Sequence, residues 1–70
     1  MNYFLDARHL PCPQPVREAK QMLKQMHSGE TLTVWCKDDL SVVDFRGFCA
    51  ILNYELTIIT HPDFFELKIS

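Results

Sequence analysis

Cys12 lies in the stretch His9-Leu10-Pro11-Cys12-Pro13-Gln14-Pro15-Val16, and these are the residues whose types and spacing could do chemistry. Pro13 and Pro15 have φ set near helical values and no N–H, which a helix tolerates only in its first turn, where the amide hydrogens have no intrahelical partner. The pattern therefore predicts a helix start with Cys12 as its N-cap. The amides left free in that turn, those of Gln14, Val16 and Arg17, and the positive end of the helix dipole favour negative charge on Sγ. A thiol with a pKa near 8.5 is only about 3% ionised at pH 7; bringing it to about 7 makes it half ionised, a change of about 2 kcal/mol. Such a sulfur is a nucleophile, or a carrier of another sulfur. On chemistry alone, a small structural cysteine fits the same position.

An element on either side must position this segment. Tyr3-Phe4-Leu5-Asp6 reads as a short strand that delivers the chain to Cys12. From Pro13 to Met26, Val16, Ala19, Leu23 and Met26 recur on one helical face with Met22 beside them, while Arg17, Glu18, Lys20, Gln21, Lys24 and Gln25 fill the other. His27-Ser28-Gly29 ends the helix, with Gly29 supplying a left-handed or turn conformation.

Thr31 to Cys36 alternates like a strand. Leu32, Val34 and Cys36 share one face, which makes Cys36 a buried, inert thiol; Thr33 and Trp35 share the other. If helices cover only one side of the sheet, Trp35 lies on the open side as a partner contact; packing beneath a loop, or a reversed register, is the competing reading. Residues 37–40 read as a loop, and Ser41-x-x-Asp44 resembles a capping box opening a second helix that runs to Leu52. Val42, Phe45, Cys49 and Leu52 form its apolar stripe, so Cys49 is expected in the core. Gly47, costing about 1 kcal/mol relative to alanine, is expected to kink that helix or delay its start. Asp38 and Asp39 read as solvated caps rather than metal ligands.

Asn53 is a helix stop. Tyr54 to Thr60 is a strand by its alternation and β-branched residues, and Phe64 to Ile69 returns antiparallel after the connection His61-Pro62-Asp63. The expected fold is an α/β two-layer sandwich of order βαβαββ: a four-stranded mixed sheet, both helices on one face, and a right-handed crossover between parallel strands at the start.

Seventy residues form one domain, 1–70, expected to bury only about 60% of its unfolded surface. A deep pocket is not expected of so small a chain; presenting a reactive group to another protein's pocket is. The net charge of −2 argues against direct nucleic-acid binding, which calls for a basic face. The charges are nonetheless uneven: four Lys/Arg against three Asp/Glu in residues 1–30, three against six in the remainder. The thiol end is thus mildly basic and could steer an acidic partner surface toward Cys12. Three cysteines without a Cys-x-x-Cys suit a reducing cytoplasm better than a disulfide scaffold or a dithiol oxidoreductase. No export signal and no membrane-spanning run are expected. His9 and Cys12 would supply at most two ligands of the four that a closed zinc site needs, so no metal site is expected.

Leu5-Asp6-Ala7-Arg8-His9-Leu10-Pro11-Cys12-Pro13-Gln14-Pro15 resembles the N-terminal signature of the TusA/SirA family of small sulfur carriers, marked by Cys-Pro-x-Pro at a helix start. Gly29-Glu30-Thr31-Leu32 resembles the family's second-strand start and Asp44-Phe45-Arg46-Gly47-Phe48-Cys49 its second helix, so the resemblance spans nearly the whole chain. It departs at His9, where the family usually has glycine, and at Gln14, where glutamate is frequent. The resemblance implies the two-layer fold derived above and a relay role, a carrier rather than a turnover enzyme. In it Cys12 takes a persulfide sulfur from a donor such as a cysteine desulfurase and passes it to an acceptor protein. The implied outcome includes 2-thiouridine formation in tRNA, reached through partner proteins. No cofactor is implied beyond the transient cysteine persulfide.

Around Cys12, His9 could polarise the sulfur or shuttle a proton. Arg8 and Arg17 could dock a partner or stabilise the anion, with solvated surface as the alternative for each. Pro13, Gln14 and Pro15 complete the expected contact segment, and Asp6 is expected to tether the loop before the helix. With one reactive thiol on a small surface, the chain is expected to work as a monomer. The alternative is a protein-interaction or redox-regulatory module in which Cys12 is a sensor, oxidised to a sulfenic acid, or a structural thiol.

Overall fold

The computed structural model describes residues 2–10, 14–27 and 29–70. Alternation and helical periodicity resolve into six elements: β1 (Asn2–Asp6), α1 (Gln14–Gln25), β2 (Thr31–Cys36), α2 (Asp39–Leu52), β3 (Leu56–Thr60) and β4 (Phe65–Ile69). The sheet order is β1-β2-β4-β3, with β1 parallel to β2 and both pairs involving β4 antiparallel. This is the expected four-stranded mixed sheet with two helices.

Register explains which side is packed. Leu32 pairs with Ile69 and Val34 with Leu67, and all four are fully buried. They form one layer with Val16, Ala19 and Leu23 of α1 and with Val42, Phe45, Phe48 and Cys49 of α2. Burying each large aliphatic side chain contributes about 1.5–3 kcal/mol, which is what holds two helices against one sheet. Thr33 and Trp35 take the opposite face, opposite Lys68 and Glu66 of β4.

Several helix details differ from the sequence reading. α2 is capped by Asp38, whose carboxylate accepts from Leu40 N at 3.0 Å, so the helix begins at Asp39 and not at a Ser41 box. Asp38 sits in extended backbone, as an N-cap requires, and its oxygen satisfies an amide otherwise orphaned. Ser41 instead lies buried inside the first turn, its Oγ without a partner among the described residues. The helix starts earlier than expected and runs through Gly47, where an added Cβ would meet open space. Leu52 is 54% exposed, and Phe48 takes its place in the core. The boundary of α1 inherits the same logic at its other end. Gly29 adopts φ 90°, and a turn closes from Glu30 N to His27 O while the Glu30 carboxylate accepts from His27 N.

Asn53 stops α2 in the left-handed region, φ 63° and ψ 33°, and the next amide, Tyr54 N, reaches Cys49 O at 2.9 Å. Asparagine tolerates this conformation and a β-branched residue does not. Asn53→Val is expected to lower unfolding free energy by about 1–2 kcal/mol, and Asn53→Gly to leave it within about 0.5 kcal/mol, read from urea denaturation midpoints.

Candidate functional site

The connection from β1 to α1 contains the predicted segment. Cys12 and Pro13, with the Cys12 N-cap assignment, lie outside the described residues; the connection is described up to Leu10 and again from Gln14.

The approach to Cys12 is tied down by hydrogen bonds. Ala7 N continues the ladder to Trp35 O at 2.8 Å, and Leu10 N closes a turn on Ala7 O at 3.2 Å, with the Leu10 side chain packed against the core. Asp6 tethers this turn, as expected. Its carboxylate accepts from Arg8 Nε and Nη2, each at 2.9 Å, and from Arg8 N at 3.3 Å. A bidentate pair of this kind fixes orientation as well as charge.

Arg8 is therefore engaged within the chain. Its guanidinium also lies 4.8 Å from the Trp35 ring centre and 5.3 Å from that of Phe64. Phe4 meets Trp35 edge-on at 4.9 Å, and Phe64 meets it at 4.8 Å. His61 stacks on Phe64 at 4.6 Å, and its Nε2 lies 2.7 Å from Glu66 Oε1. The cross-strand row Asp6, Trp35, Glu66 and Ile59 brings these groups together on the face away from the core. Trp35 lies on the helix-free face, and Phe4, Phe64 and Arg8 cover it enough that its indole N–H is enclosed without a partner among the described residues. Phe64, His61 and Glu66 carry no signal of their own in the sequence; only the register of β4 against β2 places them here.

The remaining predicted residues separate. His9, Gln14 and Arg17 are exposed. Pro15 is fully buried, so its assignment as a partner contact is corrected: its ring is withdrawn from the surface. α1 has no acidic residue in its first turn, which leaves the positive end of its dipole without a side-chain counter-charge from that turn. Cys36 is 1% exposed, and burial, then the nearby Asp38 charge, pushes its thiol up to about 11. Cys49 is 2% exposed and burial raises its pKa too. Both are poor nucleophiles at neutral pH. Among the described residues no group of three or more His, Cys, Asp or Glu converges on a metal position, and no helix is long and apolar enough to cross a membrane.

The pair Asp6–Arg8 makes the approach turn acid-sensitive. Arg8 holds the Asp6 carboxyl down to about 2, first by its side-chain hydrogen bonds, against the ordinary 3.8. The contribution of this ion pair is thus complete above pH 3.8 and is lost as pH falls through about 2. Trp35 is the chain's one tryptophan, so its fluorescence is expected to change over that window in wild type and not in Asp6→Asn.

The sequence profile described as Sulfurtransferase TusA matches residues 3–70 of the chain. The chain belongs to the TusA family. Its fold agrees with that of the SirA-like protein from Desulfitobacterium hafniense, with a TM-score of 0.87 at 24% identity, covering 99% of this chain and 95% of that one. Membership gives this TusA-family chain a general role in carrying sulfur. The Cys-Pro-x-Pro stretch that suggested the family lies inside the matched region, and its Gln14 and Pro15 open α1.

Proposed function

We propose that the protein is a cytoplasmic persulfide relay acting through Cys12. The Cys12 thiolate attacks the outer sulfur of a donor persulfide. The bond from that sulfur to the donor's Sγ breaks, the donor leaves as a thiolate, and the outer sulfur and its proton remain as Cys12-S-SH. An acceptor nucleophile then attacks the same outer sulfur and expels the Cys12 thiolate. A cysteine desulfurase is the donor class and a second sulfur-carrying protein the acceptor class, with 2-thiouridine in tRNA as the end product.

The observation that carries this reading is the division among the three cysteines. Cys36 and Cys49 are buried core thiols, whereas Cys12 occupies the Cys-Pro-x-Pro stretch of a chain matched to the sulfurtransferase profile. His9 and Arg17, exposed on either side of it, are the proposed contacts with donor and acceptor. Arg8 is assigned to holding the approach turn, because its Nε and Nη2 both donate to Asp6.

The test is intact-mass spectrometry of the reduced protein after incubation with a cysteine desulfurase, its pyridoxal cofactor and free cysteine. One reductant-labile sulfur mapping to the peptide containing Cys12 is the expected result. Absence of the adduct across several desulfurases would count against the relay and in favour of an interaction or redox-sensing module.

A further inference from the structure

β3 ends the sheet on the side away from β1, and among the described residues no strand lies along its outer edge. The direction of its backbone groups follows from the pairing with β4. Glu55 and Ser70 exchange both hydrogen bonds, at 2.9 and 3.0 Å, and His61 N donates to Phe64 O at 2.9 Å. Antiparallel pairs alternate between residues that exchange bonds and residues that do not. The amides and carbonyls of Glu55, Thr57, Ile59 and His61 therefore turn toward β4, and those of Leu56, Ile58 and Thr60 point outward.

Protein edges are commonly blunted by charge, proline or a bulge. Leu56-Thr57-Ile58-Ile59-Thr60 contains no charge and no proline, and pairs with β4 residue for residue. Beside it opens a groove of about 470 Å³ lined by Arg46, Cys49, Ala50, Tyr54, Leu56 and Ile58. Leu56 and Ile58 face the helix layer, yet α2 leaves them only half buried.

We propose that this edge receives a second copy of the chain, β3 running antiparallel to β3 about a twofold axis through Ile58. With that axis every outward-pointing residue finds a partner: Ile58 meets Ile58, and Leu56 meets Thr60 in both directions, each pair exchanging two hydrogen bonds. Shifting the axis by one residue leaves one end of the strand unpaired. The same axis sets Glu55 opposite His61 of the second copy, and by symmetry His61 opposite Glu55. Both lie on the helix-free face, at non-hydrogen-bonded positions where facing side chains come closest. The Glu55–His61 juxtaposition thus occurs twice, as a self-complementary interface requires, each beside the His61 Nε2–Glu66 Oε1 contact of 2.7 Å within its own copy.

The helix layer accommodates this arrangement. α2 packs on β4, and the two β4 strands would stand three strand spacings apart, about 14 Å, against 8–10 Å for directly packed helices. The two grooves merge there, roofed by the Arg46 and Ala50 side chains of both copies over Leu56 and Ile58. β1 lies at the opposite edge, so the turn leading to Cys12 stays open in each copy. The dimer departs from the monomer expected from chain size.

Sedimentation equilibrium on the reduced chain from about 10 µM to about 1 mM tests the proposal. The expected result is an apparent mass that climbs from one chain toward two. A chain prepared by total synthesis with an N-methyl amide at Ile58 keeps every side chain and loses the central outward donor. It is expected to stay monomeric throughout, with an unchanged circular dichroism spectrum. Glu55→Lys, at an exposed position, is expected to weaken association about tenfold. Wild type that remains monomeric at 1 mM would overturn the proposal and leave the edge to a foreign strand. Association that survives both changes would also overturn it and point to the exposed apolar side of α2.

Discussion

Cys12→Ser is expected to abolish sulfur acceptance, while Cys36→Ser and Cys49→Ser retain it in whatever fraction folds. The expectation rests on ionisation and access together. With its pKa near 11, the Cys36 thiol is ionised in about one molecule in 10⁴ at pH 7, against about 3% for an ordinary thiol, a difference of about 300-fold before access is counted. Its 1% exposure and the 2% exposure of Cys49 add a barrier to any donor protein, which cannot reach into a packed sheet-and-helix layer. A serine hydroxyl at position 12 does not attack an S–S bond at neutral pH, so transfer should fall at least 10³-fold. Iodoacetamide labelling at pH 7 followed by peptide mapping reads the same division independently of any donor: Cys12 should react at least 100-fold faster than either other cysteine in native protein, and all three should react alike in urea. Native-state labelling of Cys36 at the rate of Cys12 would show that the buried thiol is the accessible one, and a sulfur adduct persisting in Cys12→Ser would assign the relay to another residue.

Phe45→Ala is expected to remove about 3–5 kcal/mol of the chain's stability at 25 °C. Phe45 is 0% exposed and the largest of the fully buried side chains, packed against Phe48 with ring centres 5.6 Å apart. Truncation of a buried phenylalanine costs about 3–5 kcal/mol. A domain of 70 residues has a total stability of about 4–10 kcal/mol, so the loss is of the same order as the whole. Val43→Ala, in the same helix but 62% exposed, should change stability by less than about 0.5 kcal/mol. Urea titrations followed by circular dichroism measure both. A Phe45→Ala chain that unfolds within 1 kcal/mol of wild type would mean that α2 does not pack through this face.

Much of this architecture is written locally. The Val16, Ala19 and Leu23 stripe, the alternation from Thr31 to Cys36 and the left-handed stop at Asn53 depend on neighbours within a few residues, so periodicity and side-chain type suffice to read them. The helix start of α2 was misplaced for an equally local reason. Asp38 and Ser41 both suit an N-cap, and the choice fell to whichever residue the core did not claim; Ser41 is buried beside Val42, which leaves Asp38 at the boundary. Pro15 shows the same competition, since a proline in the first turn of a helix can be exposed or buried, and here it is buried.

What the sequence by itself determined is the order of elements, the apolar side of each, and the Cys-Pro-x-Pro segment at the head of α1 that pointed to sulfur chemistry. Tertiary structure alone decided that β4 inserts between β2 and β3. It also decided that Arg8 lies against Asp6, Trp35 and Phe64, and that β3 is left as an open edge. The physical reason is range: helix and strand character follow from contacts a few residues apart, whereas the β1–β2 and β2–β4 pairs join residues 29 to 37 positions apart, and their register is set only when the whole apolar layer closes.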